Sequence, residues 1–282
     1  MSKVPVPPDD MALALFVPAD RPDRFAKAFA AGADAVVIDL EDAVAEAEKD
    51  RARQGLLAAL QDLMRSAGAH KPHVIIRING AGTAWYERDI QACRDLPVSA
   101  VMLPKAEYPE DILSCRNSSG KPVLALIESA LGLHHAVKIA AVADRLVFGS
   151  IDFAADLGSA HNREALLLAR SALVVASRCA GLPPPVDGVT TAVHDAALIA
   201  GDIRHAVSLG FGGKLLIHPA QVSAAREAFM PDPEELAAAR RLIEAVGDQA
   251  VVNLDGMMVD APVVMRARQV LRRAGQGKSA QK

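Results

Sequence analysis

The sequence predicts an α/β fold, a (β/α)8 TIM barrel with a C-terminal extension made of a hairpin and a helix. Three observations carry that expectation. Apolar runs rich in Val, Ile and Leu recur eight times between residues 13 and 219, at a spacing of about 25–35 residues. Each is followed by a helix-forming stretch, and such alternation implies parallel strands joined by helical crossovers. The runs are nearly continuous rather than alternating, the pattern of strands buried on both faces. Eight such units in about 230 residues favour a closed barrel over an open doubly wound sheet, the competing arrangement.

Residues 1–11 read as an irregular arm. Residues 13–19 form the first strand, and Asp20-Arg21-Pro22-Asp23 opens a short helix with proline in its first turn. The second strand, residues 34–42, ends in three acids, Asp39, Glu41 and Asp42, and a long amphipathic helix over 46–67 follows. The third strand runs through Arg77-Ile78-Asn79-Gly80, with its helix at 83–95, and the fourth ends in Leu103-Pro104-Lys105, with a helix at 109–116. The fifth, residues 123–128, sits between Pro122 and Gly132 and ends in Glu128; its helix spans about 133–143. The sixth, residues 145–152, repeats the pattern and ends in Asp152, before an apolar helix at about 163–180. A short seventh strand at 186–189, a helix at 195–209, an eighth strand at 214–219 and helices at 219–229 and after Pro233 complete the barrel, taken as residues 11–248. Residues 249–273 form a separate lid or oligomer contact, a hairpin turning at Asp255-Gly256 and an arginine-rich helix. Residues 274–282 read as a flexible tail.

Composition narrows the function. The chain has 282 residues, of which 51% are hydrophobic, enough for a large core. A net charge of -3 gives no basis for binding nucleic acid or an anionic membrane, and only 4% aromatic residues leave little for base stacking. No apolar run reaches the roughly 18 residues of a membrane span. The three cysteines lack metal or disulfide spacing and no signal-like apolar segment opens the chain, so a reducing cytoplasm is expected.

Parallel barrels place their chemistry where the strands end. Gathered there are Arg21, Glu41, Asp42, Arg77, Lys105, Glu128, Asp152 and His218, four carboxylates and four cations or bases around one mouth. Taken singly, each acid is an ordinary strand-end cap. Glu128 and Asp152 together, on consecutive strands and in turns of small residues, suit a hard divalent cation, since Mg2+ accepts one or two carboxylates and leaves its other positions to water and substrate. Arg77 is placed to clamp a carboxylate, or to pair with Glu41 or Asp42. Lys105 reads as an electrostatic cation rather than a Schiff-base lysine, because nearby acids raise its pKa. His218 reads as a local hydrogen-bonding residue.

The ordered motifs Pro18-Ala19-Asp20-Arg21-Pro22-Asp23, Asp39-Leu40-Glu41-Asp42-Ala43-Val44, Arg77-Ile78-Asn79, Leu103-Pro104-Lys105, Ile127-Glu128-Ser129-Ala130, Phe148-Gly149-Ser150-Ile151-Asp152 and Ile217-His218-Pro219 resemble the citrate lyase beta-subunit-like branch of the HpcH/HpaI aldolase/citrate lyase family, over about residues 11–270. The resemblance implies a (β/α)8 barrel, commonly a homotrimer or a dimer of trimers, and a Mg2+-dependent carbon–carbon lyase. Its substrates would be 3-hydroxyacyl thioesters of coenzyme A such as citryl, malyl or citramalyl, cleaved to an oxo acid and acetyl-CoA. By the same resemblance Glu128 and Asp152 are the metal ligands, Arg77 the substrate arginine, and Glu41 and Asp42 acids beside the metal. Arg21 and Lys105 lie along the substrate, and Asp260, in Met257-Met258-Val259-Asp260-Ala261-Pro262, is the proton-transfer residue acting on a neighbouring protomer. Two alternatives stay open: a beta subunit acting on an acyl-carrier thioester within a complex, and an idle protein that only binds a thioester or oxo acid.

Overall fold

The computed structural model describes residues 11–66, 71–246, 252–254 and 257–279. Eight parallel strands close into a barrel in chain order: β1 (Leu13–Pro18), β2 (Ala35–Asp39), β3 (His73–Arg77), β4 (Ala100–Leu103), β5 (Val123–Ile127), β6 (Arg145–Phe148), β7 (Val186–Asp187) and β8 (Gly213–Leu216), which pairs back onto β1. Around them lie α1 (Phe25–Phe29), α2 (Lys49–Ser66), α3 (Tyr86–Asp95), α4 (Pro109–Ser119), α5 (Ala130–His134), α6 (Ala136–Ala140), α7 (Ser150–Leu157), α8 (Leu167–Cys179), α9 (Ala196–Leu209) and α10 (Gln221–Phe229). The C-terminal extension is α11 (Pro233–Val246), the antiparallel pair β9 (Val252–Leu254) and β10 (Met257–Val259), and α12 (Ala261–Ser279). Among the described residues, no helix is long and apolar enough to cross a membrane.

Alternation along the strands positions the site. Successive side chains point to opposite faces. One buried cluster draws on all eight strands and on no helix, with Ala35, Val37, Ile75, Leu124, Leu126 and Leu215 among its members, so it fills the lumen. The opposite set, including Val36, Ile38, Ile76 and Ile127, packs under the helices. Two positions on from Val37, Ile75 and Leu126 stand Asp39, Arg77 and Glu128. The inward parity therefore delivers these three side chains to the lumen at its C-terminal end. Arg145, inward at the other end, donates to the carbonyls of Met11 (2.7 Å), Pro184 (2.9 Å) and Gly212 (3.3 Å) and closes that end.

Several expected elements end elsewhere. The sixth strand stops at Phe148 and α7 begins at Ser150, so Asp152 lies in a helical first turn rather than at a strand end. Ala154, Ala155 and Leu157 are good helix formers, Asp152 suits a helical first turn, and Phe153 N–H already donates to Gly149 O at 3.0 Å. The expected helix at 133–143 is two, α5 and α6, parted at His135, whose backbone (φ −94°, ψ 4°) is not helical. The eighth strand ends at Leu216, before the Ile217-His218-Pro219 turn. Residues 274–279 lie within α12, and Ala274 is buried. The hairpin is present as β9 and β10. Its turn at Asp255-Gly256, the end of the expected second helix at residue 67, residues 1–10, the boundary at 248/249 and residues 280–282 fall outside the described residues.

On the outer face, the Asp187 carboxylate accepts from Arg170 Nε (2.8 Å) and Lys214 Nζ (2.9 Å), and all three residues are buried. Removing one partner of a buried ion pair leaves uncompensated charge and costs about 3–5 kcal/mol. Asp187→Ala strands two cations, so its unfolding free energy in urea should fall by at least that much. A loss below about 1 kcal/mol, the worth of an exposed pair, would show that the network does not hold this side of the barrel.

Candidate active site

The mouth is organised by a buried ion pair. Asp39 and Arg77 are register partners on β2 and β3. The guanidinium donates through Nε (2.7 Å) and Nη2 (2.6 Å) to the two oxygens of Asp39, a bidentate fork. The Phe16 ring lies 5.0 Å from the guanidinium carbon. Asp39 also accepts from the backbone N–H of Glu41 (2.9 Å) and Ala43 (3.1 Å), so it shapes the loop carrying the other two acids. Arg77 Nη1 lies 2.8 Å from Glu41 Oε2 and 3.4 Å from Asp42. Burial opposes the charge on Arg77, but the bonds and charge of Asp39, then of Glu41 and Asp42, outweigh it and raise its pKa.

Glu41 is the inner acid. Its Oε1 accepts from Lys105 Nζ at 2.9 Å, and its Oε2 is ion-paired with Arg77 but has no hydrogen-bond partner. Burial raises its pKa despite both cations. The bond to Glu41 raises the pKa of Lys105, which suits a permanent cation and not a Schiff-base nucleophile.

Glu128 stands beside it. Its Oε1 accepts from the backbone N–H of Lys105 at 2.7 Å, and Lys105 holds a left-handed φ of +48°. That conformation costs a non-glycine residue about 1–2 kcal/mol and here aims the amide at the carboxylate. On the far side Gly149 leaves the needed room: a Cβ there would fall 2.5 Å from Glu128 Cβ and Oε2. Burial, then the charge of Glu41, pushes the Glu128 carboxyl up to about 8.

Asp39, Asp42, Arg77, Glu128 and Asp152 line one cavity of about 400 Å³, whose remaining wall is largely apolar, with Phe16, Leu126, Phe148, Val189, Leu215 and Ile217. Of the expected site residues, the structure thus gathers Arg77, Asp42, Glu128 and Asp152 at the cavity, with Glu41 ion-paired with Arg77 and Lys105, and the Lys105 amide bonded to Glu128. Two it does not bring there. Arg21 turns outward to a bidentate pair with Asp23 (2.9 and 2.7 Å), and both are exposed. Asp260 sits at the start of α12, where its Oδ1 accepts from Val263 N–H at 3.3 Å, and it does not line the cavity of its own chain. His218 plays its expected local role, its Nδ1 accepting from Ala220 N–H at 3.1 Å. Asp39 was visible only as one of three acids; the inward parity it shares with Val37, facing Arg77 across the register, was the signal that singles it out.

No group of three or more metal-ligating side chains converges among the described residues. A cation here would rest on the two carboxylates of Glu128 and Asp152, a donor set that suits Mg2+ with water and substrate completing its octahedron. Glu41 Oε2 accepts no hydrogen bond, and the pKa values of Glu41 and Glu128 are both raised, which marks crowded buried carboxylates that such a cation would offset.

The HpcH/HpaI aldolase/citrate lyase family model matches residues 12–219. The chain belongs to this family. A citrate lyase subunit beta-like protein of Mycobacterium tuberculosis is 37% identical over 275 residues, covering 94% of this chain and 96% of that protein. A (3S)-malyl-CoA thioesterase of Cereibacter sphaeroides is 33% identical, covering 92% and 93%. The crystal structure of CitE from M. tuberculosis in complex with magnesium, acetoacetate and coenzyme A superposes with a TM-score of 0.79 at 36% identity, covering 94% of this chain and 98% of that one.

Between its ordinary 4.5 and its raised value of about 8, Glu128 holds a proton that a cation must displace. Mg2+ affinity of the protein alone should therefore rise with pH, by up to about tenfold per unit, and level off above pH 8. Calorimetry at pH 7 in buffers of different ionisation enthalpy should read the release of about one proton. Binding without proton release would contradict the raised pKa of Glu128.

Proposed function

We propose that the protein is a Mg2+-dependent carbon–carbon lyase that cleaves, or forms, a 3-hydroxyacyl-CoA thioester of the citryl, malyl or citramalyl class, giving an oxo acid and acetyl-CoA. The observation that carries this reading is the pairing of two cavity-facing carboxylates, Glu128 and Asp152, with a buried guanidinium, Arg77, at one barrel mouth. The magnesium- and coenzyme-bound relative supports it.

When bound at Glu128 and Asp152, Mg2+ would supply Lewis acidity to the substrate's 3-hydroxyl and hold the oxo acid released from it. Every other part of the work falls to the chain. Arg77 directs three of its five N–H bonds to Asp39 and Asp42 and sets Nη1 2.8 Å from Glu41 Oε2, and it lines the cavity that would receive substrate. Held rigid by Asp39, it offers preorganised positive charge to a carboxylate or to the enolate oxygen of the thioester. Glu41 and Lys105 neutralise one another behind the cation site and keep the Lys105 amide on Glu128. The apolar wall excludes water from the acetyl carbanion. Asp260 from a neighbouring copy is the proton donor in this scheme, in a homotrimer, and Arg21 meets the coenzyme outside the cavity.

The Cereibacter relatives favour a second reading, hydrolysis of the thioester at the same mouth. The products separate the two: an oxo acid and acetyl-CoA for the lyase, a free hydroxy acid and coenzyme A for the thioesterase.

Glu128→Ala should reduce Mg2+-dependent cleavage of a citryl-, malyl- or citramalyl-CoA panel to background in a coupled oxo-acid assay; retention of wild-type turnover would remove the metal assignment. Asp260→Asn should lower kcat by about 10²–10⁴ while leaving oxo-acid binding intact by calorimetry. Loss of binding instead would make Asp260 structural.

A further inference from the structure

We infer that Lys49 is a positioning residue for the cation site, gripping from behind the loop that carries Glu41. The inference rests on the metal reading above and concerns a residue that touches neither cavity nor substrate. Lys49 is the first residue of α2, yet it is only 5% exposed. Its Nζ donates to the carbonyls of Leu40 (2.8 Å) and Glu41 (2.6 Å) and lies 5.3 Å from the Trp85 ring centroid. Among the described residues no carboxylate lies within salt-bridge distance of it, and the buried ammonium is held by two loop carbonyls and an aromatic ring.

That placement runs against local preference. A cation at a helix N-terminus faces the positive end of the helix dipole, and burying a charge is unfavourable unless it is satisfied. Residues that break local rules of this kind concentrate at functional sites. What the placement achieves is visible one layer further in. The loop after β2 must present Glu41 between Arg77 and Lys105. The peptide units on either side of Glu41's Cα are those whose carbonyls Lys49 holds. Asn79 grips the Leu40 carbonyl from the β3 side through Nδ2 (3.1 Å). Asp89, fully buried, accepts from Asn79 Nδ2 (2.6 Å), from Asn79 N–H (2.9 Å) and from Arg53 Nε (2.6 Å). α2 and α3 are thereby locked onto the loop through Lys49 and Asp89, and the Glu41 carboxylate is set against Lys105 Nζ (2.9 Å), whose own backbone N–H holds Glu128 Oε1 (2.7 Å).

Charge and position make opposite predictions, which gives a sharp test. Lys49→Met removes a positive charge near a cation site, and on electrostatics alone that should tighten divalent-cation binding. If Lys49 acts by holding the loop, the same change should weaken it, because loss of an outer-layer partner typically costs about 10–100-fold in metal affinity. The measurement is Mg2+ binding by calorimetry, without substrate, with folding checked by cooperative thermal unfolding. Weakening by about tenfold or more in Lys49→Met, with partial recovery in Lys49→Gln, which restores one donor to the carbonyls, is expected. Unchanged or tighter binding would overturn the inference. Should Lys49→Met fail to fold, Lys49→Gln carries the test alone: weaker binding than wild type supports the inference and wild-type binding overturns it. The assay is independent of turnover. A protein that binds Mg2+ and cleaves nothing loses the lyase reading and keeps this one, whereas a wild-type protein that binds no Mg2+ loses both.

Discussion

The Asp39–Arg77 ion pair is the contact on which the mouth of this barrel depends. Removing two charges from water is recovered only when geometry is excellent and the remaining donors and acceptors are met. Both conditions hold. The fork is bidentate, Asp39 spends its remaining capacity on the backbone of Glu41 and Ala43, and the guanidinium lies against Phe16. One side chain on β2 therefore fixes both the arginine that lines the cavity and the loop that presents Glu41 and Asp42.

The rest of the site is arranged to hold more negative charge than it can itself neutralise. Glu41 and Glu128 are both buried and both titrate high, with Lys105 and Arg77 as the nearby cations. Glu128 is kept in place by a strained amide at Lys105 and by the absence of a side chain at Gly149. Structural need alone gives no reason to concentrate carboxylates so close together in a low-dielectric layer. A divalent cation does, and the apolar remainder of the cavity then suits a carbanion shielded from water.

Much of this was legible in the sequence, for physical reasons. Buried parallel strands must be apolar along their whole length, so eight runs announced eight strands, and the charges that interrupt those runs at their ends announced the mouth. Glu128, Arg77, Glu41 and Lys105 were found that way. What escaped depended on facts not local to a run. Asp39 looked like a neighbour of Glu41 and Asp42 until its parity with Val37 and its register with Arg77 separated it from them. Asp152 was placed on a strand because Arg145-Leu146-Val147-Phe148 ran on into Ile151, whereas the chain turns at Gly149 and enters a helix. Arg21 follows β1 closely enough to read as a mouth residue, and in the structure it pairs with Asp23 outside the cavity. Lys49 gave no signal, since a lysine in a first helical turn normally reads as a solvated surface residue.

The most direct measurement is exchange of the acetyl methyl protons of acetyl-CoA with deuterated solvent, followed by NMR with and without Mg2+ and with glyoxylate, pyruvate or oxaloacetate present. A mouth built to stabilise an enolate beside a divalent cation predicts exchange that requires Mg2+, stops on chelation, and is promoted by the oxo acid the enzyme uses. A folded protein that binds Mg2+ yet exchanges no methyl proton under any of these conditions would contradict enolate chemistry at this site.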